Sequence, residues 1–352
     1  MPTPTDPIDD HPGEDHAGLR VVFWNTWLLA PRLWPTGPRV PGGTKMFFAP
    51  DVDLRAPLIG PALRGRFDVA ALAEVFERTE QDAVTRSWPD ATLVQGPQRE
   101  RLKPTGSGLM TLVDRSRATV VRTAKHAYRS GGDLRDSDTF ATKGALFTCV
   151  RATRPDAAPM PDIEIVSTHL LAGGDLFPVP GARDQARHHA ARMRQVDELV
   201  AWVQELHDPG NVLLLCGDFN VCAHDPDPLV ASDPTGRYRE LLSRLAPLGV
   251  RDVWADHGVG PGHTCTFDHA FDLPSDPGHP DRVVDHADED ESAAGERIDF
   301  LFLAVPDGVE LEVGRPRRWA FHCRPAQGGP AGSLSDHLAL SVDLLPVGAS
   351  GS

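Results

Sequence analysis

The chain has 352 residues, of which 40% are hydrophobic and 24% are charged, and its formal net charge is −15. This apolar content is sufficient for a buried core and excludes a mainly disordered chain. The longest apolar runs, such as 212–216, are far too short to cross a bilayer, so the sequence predicts no transmembrane segment. Because proteins that bind nucleic acids rely on a basic surface, the acidic balance predicts no nucleic-acid partner.

The N-terminal residues 1–18 are acidic and rich in proline, and they lack the apolar segment of a secretion signal. They predict a disordered leader and a cytoplasmic protein, and a secreted form whose signal was removed is the alternative. The five cysteines show no CxxC spacing, which predicts reduced thiols rather than disulfides or a zinc site.

The predicted elements mix strands and helices irregularly along the chain, which is typical of a layered α/β enzyme. Apolar, β-branched runs predict strands at 19–29, 67–75, 108–113, 144–151, 163–168, 212–216, 298–303 and 338–344. Helices are predicted at 53–63 and 184–207, the second from apolar residues at helical spacings. Long loops are predicted at 30–53, which is rich in proline and glycine, and at 272–296, which is acidic. Since no repeat or linker is visible, we expect one catalytic domain over 19–346 and a tail over 347–352.

Short polar motifs stand at or just past the ends of six apolar strands. They contain Asn25 in VVFWNTW, Glu74 in VAALAEVFE, His169 in IVSTHL, Asp218 and Asn220 in LLLCGDFN, Asp299 in RIDFLF, and Asp336 with His337 in LSDHLAL. Strand ends are rigid positions at which sheet enzymes gather catalytic groups. Oxygen ligands without cysteine or paired histidines suit a hard cation such as Mg²⁺. Each motif taken alone is explained as a turn or a helix cap, but the occurrence of all six at strand ends in one chain predicts a catalytic site.

In this order the six motifs resemble the endonuclease/exonuclease/phosphatase superfamily, over nearly the whole of 19–345. The resemblance implies an α/β fold, a four-layer α/β/β/α sandwich of two mainly antiparallel sheets flanked by helices. It also implies hydrolysis of a phosphoester with Mg²⁺, for which Mn²⁺ or Co²⁺ are candidate substitutes. Substrates of the superfamily include DNA, inositol phosphates and phospholipids, so the fold alone does not decide the function.

Further segments look like the neutral, Mg²⁺-dependent sphingomyelinases. These are the RAPLI helix motif and the EVFE ending after the second strand, DTFATKG at 138–144, and GHTCTFD at 262–268. The resemblance implies a phospholipase C that cleaves sphingomyelin, or a related choline phospholipid, to phosphocholine and ceramide or diacylglycerol. The chain departs from these enzymes in its missing secretion signal, its longer 30–53 loop and its acidic 272–296 insert.

The resemblance also assigns roles to individual residues. Glu74, assisted by Asn25, is predicted to bind Mg²⁺, and Asp336 to contact the metal or water. His337 is predicted to be the general base for the attacking water, with Asp299 holding its ring. Asp218 and Asn220 are predicted to orient the water or to bridge the phosphate and the metal. His169 is predicted to hydrogen-bond the phosphate or to protonate the leaving group. Lys143, paired with Asp138, is predicted to supply positive charge that stabilises the phosphorane.

A phospholipid substrate implies contact with a membrane surface. Aromatic and apolar residues in the 30–53 loop could enter the headgroup region, or they could pack over the edge of the sheet. They are Leu33, Trp34, Met46, Phe47 and Phe48. The net charge of −15 favours a zwitterionic lipid over an anionic one. The oligomeric state is not indicated by any pattern.

Three other functions are weighed against this one. A nuclease of the same fold predicts a basic groove. A soluble phosphatase acting on inositol phosphates or other small phosphoesters needs several converging cations, for which Arg101, Lys103, Arg129 and Arg135 are candidates. A non-enzymatic scaffold predicts lost ligands, whereas each of the six motifs retains its functional residue.

Overall fold

The structure, a computed structural model, describes residues 18–30, 49, 51–99, 103, 105–130, 141–153, 160–173, 185–224, 235–266, 282–284, 295–321 and 334–347. The strands are β1 (Leu19–Asn25), β2 (Val69–Ala73), β3 (Ala91–Gln95), β4 (Met110–Asp114), β5 (Ala118–Ala127), β6 (Gly144–Ala152), β7 (Ile163–His169), β8 (Val212–Asp218), β9 (Arg251–Asp252), β10 (Cys265–Thr266), β11 (Arg282–Val284), β12 (Gly295–Glu296), β13 (Asp299–Ala304), β14 (Leu311–Val313), β15 (Arg317–Ala320) and β16 (Ala339–Pro346). The helices are α1 (Val52–Leu63), α2 (Arg78–Ser87), α3 (Gln185–Leu206), α4 (Gly236–Leu245) and α5 (Val253–His257).

Two large sheets are formed by these strands. Within the described ranges, the first sheet has eight strands in the order β11-β15-β16-β1-β2-β4-β3, with β14 also paired to β16. The second sheet has six strands in the order β5-β6-β7-β8-β13-β9. The pairs β1–β2 and β7–β8 are parallel, and the neighbouring pairs are antiparallel. Both sheets are therefore mainly antiparallel, with one parallel pair near the middle of each.

The alternation of side chains along the strands produces three hydrophobic clusters and four layers. On β1, Val21 and Phe23 face the second sheet, whereas Val22 and Trp24 face the helices α1 and α2. The outer face of the second sheet packs against α3 and α4. This is the predicted α/β/β/α sandwich, with one cluster between the sheets and one under each helical layer.

The predicted strands are all found, and their ends differ by a few residues. The predicted strand at 212–216 continues to Asp218, and the one at 163–168 continues to His169, so these polar residues belong to the strands themselves. Helix α2 and strands β3 and β5 are among the elements that the sequence did not predict. Helix α2 buries only Glu80, Gln81 and Val84, so it has no apolar stripe to reveal it.

Several predictions fall on residues that lie outside the described ranges. These are residues 1–17 of the leader, the aromatic residues of the 30–53 loop, Asp138, Asp184 at the predicted start of the second helix, and most of the acidic loop 272–296. No helix in the described part of the chain combines the length and the apolar composition that crossing a membrane requires.

Candidate active site

The carboxyl ends of the two parallel strand pairs carry four of the predicted site residues. Asn25 ends β1, and Glu74 directly follows β2, whose last residue is in register with Asn25. His169 and Asp218 end β7 and β8 and are register partners. Because parallel strands end at the same edge of a sheet, each pair presents two polar side chains together. The two sheets face each other, so these edges meet.

Asn25 connects the two sheets at this edge. Its Nδ2 donates hydrogen bonds to Glu74 Oε1 at 3.3 Å and to Asp218 Oδ2 at 3.0 Å. Its Oδ1 accepts a hydrogen bond from the backbone N–H of Trp27 at 3.1 Å. In this arrangement Asn25 bridges two carboxylates, and an amide flip would be needed to present its oxygen to a cation. The assignment of Asn25 as a metal ligand stays a prediction.

Glu74 has a backbone conformation that side chains other than glycine rarely adopt. Its φ is 63°, in the left-handed region, which costs about 1 kcal/mol or more for such a residue. The chain on both sides is fixed by hydrogen bonds from Thr26 N to Ala73 O and from Val75 N to Gly108 O. The turn directs the Glu74 carboxylate towards Asn25 instead of letting the strand continue.

His337 and Asp299 form the closest charged pair of the site. His337 Nδ1 lies 2.7 Å from Asp299 Oδ2, and both side chains are more than nine-tenths buried. Thr264 holds Asp299 in place, because its hydroxyl accepts a hydrogen bond from the Asp299 backbone N–H at 3.2 Å. The carbonyl of Thr264 also accepts from Leu338 N at 2.8 Å, so one residue of the GHTCTFD segment supports both members of the pair.

Arg55 of helix α1 fixes the chain on both sides of the site. Its guanidinium is fully buried and donates to the carbonyl oxygens of Thr26, Trp27 and Leu334 at 2.5–3.2 Å. Ser335 adds a hydrogen bond from its Oγ to Asn25 O at 2.6 Å. The end of β1 and the segment that carries His337 are thereby joined. Arg55 lies in the RAPLI motif, but the sequence assigned it no role.

His169 lies between a cation and the carboxylates. Lys143 Nζ is 3.2 Å from His169 Nε2, and this nitrogen is 3.6 Å from Asp218 Oδ2 and 3.9 Å from Glu74 Oε1. Burial, and then the charge of Lys143, lower the pKa of His169 to about 3. A neutral imidazole suits the first of the two predicted roles, hydrogen bonding to the phosphate, better than proton donation.

Burial and mutual repulsion shift the acidic groups of the site towards their protonated forms. Burial, followed by the charge of Asp336, raises the pKa of Glu74 to about 7. Burial also raises the pKa of Asp336. For His337, burial opposes the charged ring, but Asp299 and then Cys265 outweigh it, so its pKa lies well above the ordinary value. The charge of Asp299 therefore favours the imidazolium form of His337, beside carboxylates that are shifted towards their neutral forms.

The donor set fits a hard divalent cation. Ligand atoms of Asp218, Asp299 and His337 lie within 4.8 Å of one another in the described part of the chain. His337 Nδ1 is committed to Asp299, however, so we consider the carboxylates of Glu74, Asp218 and Asp336 the better oxygen donors. The raised pKa values of Glu74 and Asp336 indicate carboxylates that a cation would stabilise in their charged forms.

The remaining predicted residues are placed as follows. Asn220 has a φ of 51°, and its backbone N–H donates to Asp218 Oδ1 at 2.9 Å. Asp336 Oδ1 lies 4.0 Å from His337 Nε2, so both adjacent residues reach the site. Of the cations considered for a phosphatase, Arg101 and Arg135 lie outside the described residues, and Arg129 is exposed.

The sequence of residues 48–337 matches the endonuclease/exonuclease/phosphatase family. This match covers well over half of the chain, including Glu74, Asp218, Asp299 and His337. The chain belongs to this family. The fold described above is thus that of a family of endonucleases, exonucleases and phosphatases. No curated protein matches the sequence significantly.

Solved structures with the same fold include proteins of different activities. Sphingomyelinase C from Streptomyces griseocarneus is 17% identical, with a TM-score of 0.53 over 93% of this chain and 99% of that one. A beta toxin mutant from Staphylococcus aureus with bound magnesium ions is 16% identical, with a TM-score of 0.54 and the same coverage. TDP2 from D. rerio, complexed with a single-stranded DNA product, is 12% identical, with a TM-score of 0.54 over 93% and 99%. At these identities the likeness concerns the fold alone.

Proposed function

We propose that this protein is a Mg²⁺-dependent phosphodiesterase of the sphingomyelinase type, which hydrolyses sphingomyelin or a related choline phospholipid to phosphocholine. The observation that carries the proposal is the buried His337–Asp299 pair, in which His337 Nε2 lies 3.9 Å from Asp218 Oδ2 at the carboxylate cluster. A proton acceptor and a cation-binding cluster at one strand edge are the groups that hydrolysis of a phosphodiester requires.

The chain's own residues would share the work of positioning and proton transfer. His337 Nε2 takes the proton from the attacking water, and Asp299 holds the ring through Nδ1 and stabilises the imidazolium that forms. Asp218 and Asn220 orient that water. Lys143 and neutral His169 hydrogen-bond the phosphoryl oxygens, on which negative charge increases in the transition state.

Glu74, Asp218 and Asp336, with Asn25 after a flip of its amide, would hold the cation. A bound Mg²⁺ supplies Lewis-acid polarisation of the phosphoryl oxygen and stabilises the departing alkoxide. In the unflipped orientation, Asn25 Nδ2 donates to both carboxylates and keeps Glu74 close to Asp218 across the two sheets.

The lipid preference is supported by sequence segments rather than by the cation-binding residues. The DTFATKG and GHTCTFD segments resemble sphingomyelinases, and residues of both lie in the site, namely Lys143 and Thr264.

We further propose that Trp34, Phe47 and Phe48 of the 30–53 loop bind the lipid surface. Replacing Trp34 and Phe47 by alanine should weaken binding to sphingomyelin liposomes but leave turnover of a soluble phosphocholine ester intact.

The deciding experiment measures phosphocholine release from sphingomyelin liposomes, with Mg²⁺ and with a chelator, beside a plasmid-nicking assay. We expect Mg²⁺-dependent release without nicking, and its loss by a factor of about 10² to 10⁴ in His337→Ala. His257→Ala, which changes an exposed histidine of α5, is the matched control and should retain activity. Nicking, or release of inorganic phosphate without phosphocholine, would transfer the function to a nuclease or a phosphatase of the same fold.

A further inference from the structure

A cavity of about 510 Å³ lies beside Glu74, between helix α2 and the facing ends of β3 and β4. One wall is the residue pair Phe76 and Gly108. Gly108 approaches the Glu74 turn so closely that a Cβ atom on it would lie 3.2 Å from Glu74 Cα and 3.0 Å from the Phe76 ring. The cavity therefore adjoins the backbone of a proposed cation ligand.

A chain of amide hydrogen bonds crosses the floor of the cavity. Gln81 Nε2 donates to Val75 O at 2.9 Å, and Gln81 Oε1 accepts from Gln95 Nε2 at 2.8 Å. Gln81 is 8% exposed and is held at both ends of its amide. Gln95 is thus oriented by a fixed partner, while its Oε1 retains the capacity to accept hydrogen bonds.

Ser107 supplies the complementary donor. This residue lines the same cavity and is only 2% exposed. Its Oγ accepts a hydrogen bond from Leu109 N at 3.3 Å, which leaves the hydroxyl hydrogen to donate. The cavity therefore offers one oriented acceptor and one buried donor.

The charges around the cavity are balanced. Among the described residues that line it, Arg78 and Arg99 are basic, and Glu77 and Asp82 are acidic. An additional phosphate group would be expected to meet a predominantly basic surface. A choline group has no hydrogen-bonding atoms and is bound by several aromatic faces, whereas Phe76 is the aromatic residue among the described lining. A neutral group with one donor and one acceptor fits better.

We infer that this cavity binds the amide and hydroxyl groups of a sphingoid backbone, that Gln95 selects sphingolipids over glycerolipids, and that Ser107 binds the carbonyl group that both lipids share. The inference rests on the proposed function. In a sphingolipid the amide nitrogen and the hydroxyl are attached to the two carbons that follow the phosphate-bearing carbon. Gln95 Oε1 accepts from the amide N–H or the hydroxyl, and Ser107 donates to the amide carbonyl. A glycerolipid has an ester there, which offers an acceptor but no N–H donor, so Gln95 would be left without its partner.

The test compares kcat/KM for sphingomyelin and phosphatidylcholine of matched acyl chains in mixed micelles. Gln95→Met preserves the shape of the side chain and should lower kcat/KM for sphingomyelin by about tenfold while leaving phosphatidylcholine unchanged. Ser107→Ala should lower kcat/KM for both lipids, because the ester carbonyl of phosphatidylcholine accepts from this hydroxyl as the amide carbonyl does. Gln204→Met, an exposed position on α3, is the matched control. Bis(p-nitrophenyl) phosphate, which has no lipid backbone, should be hydrolysed equally by all four proteins.

The possible failures are distinguishable. If wild-type protein releases phosphocholine from both lipids but Gln95→Met does not change the ratio of their kcat/KM values, the subsite is wrong and the proposed function stands. An equal loss on both lipids and on the synthetic diester would also overturn the subsite, since it would indicate general damage to the site. If wild-type protein hydrolyses the synthetic diester but neither lipid, the proposed function itself fails and the subsite with it.

Discussion

At the scale of single residues, Asp299 determines what His337 can do. Its Oδ2 lies 2.7 Å from His337 Nδ1, and this carboxylate is the main influence that opposes the effect of burial on the histidine. Thr264 fixes the Asp299 backbone, and the antiparallel pairing of β13 with β8 places Asp299 directly opposite Asp218. The imidazole is therefore held in one orientation, with Nε2 directed to the carboxylate cluster.

Asp299→Asn tests this role with almost no change in size. An asparagine can keep the contact with Nδ1, but it removes the negative charge that stabilises the imidazolium. We expect kcat to fall by about 10² to 10⁴, with the free energy of unfolding changed far less than by a cavity mutation. Steady-state kinetics and denaturant unfolding of the same preparation measure the two effects. Activity within a factor of three of wild type would show that Asp299 only fills space.

At the scale of elements, helix α1 helps to hold the site together. Arg55 extends from this helix to carbonyl oxygens on the segment after β1 and on the segment before β16. Neither segment is a regular strand at these positions, so their backbone groups need partners from elsewhere. The fully buried guanidinium supplies donors for both.

Arg55→Met should therefore both destabilise the fold and disturb the site. Leaving buried carbonyls without donors is expected to cost about 3 kcal/mol in the free energy of unfolding. The Mg²⁺ concentration for half-maximal activity should also rise, because Asn25 and Asp336 would no longer be held in fixed positions relative to each other. Arg55→Lys should restore part of the stability. Arg117→Met, which breaks an ion pair with Asp68 away from the site, should change stability without changing the Mg²⁺ requirement.

These examples show why the sequence predicts the strands and their terminal residues but not many of the contacts that hold those residues in place. Strand β8 is a continuous buried apolar run that ends in Asp218, and such a pattern is visible locally. The contacts of Arg55 join residues 29 and 279 positions apart, which no local pattern indicates. Strand β5 alternates exposed and partly buried residues at the edge of its sheet, and helix α2 is mostly polar, so neither gave an apolar signal.

At the scale of the whole molecule, the site exists only where the two sheets meet. Asn25 and Glu74 come from the first sheet, whereas His169, Asp218 and Asp299 come from the second. Between them lies the shared core, in which fully buried residues of β1, β2, β7 and β8 pack together. Near the carboxyl ends of β1, β2, β7 and β8, this apolar packing gives way to a crowded group of carboxylates, and their repulsion opposes the approach of the sheets.

A divalent cation should therefore stabilise the whole fold, independently of catalysis. It would bind carboxylates that are brought together only in the folded chain, so its binding free energy adds to the free energy of unfolding. At a Mg²⁺ concentration about one hundred times the Kd, binding adds about 2.7 kcal/mol to the free energy of unfolding, which should raise the Tm by several degrees. Differential scanning calorimetry in Mg²⁺ and in chelator measures this shift. It should be lost in Glu74→Gln and Asp218→Asn but kept in Asp343→Asn, whose carboxylate pairs with Arg20 away from the site. An equal shift in all four proteins would mean that Mg²⁺ binds elsewhere, and the carboxylates at the junction of the sheets would then need another explanation.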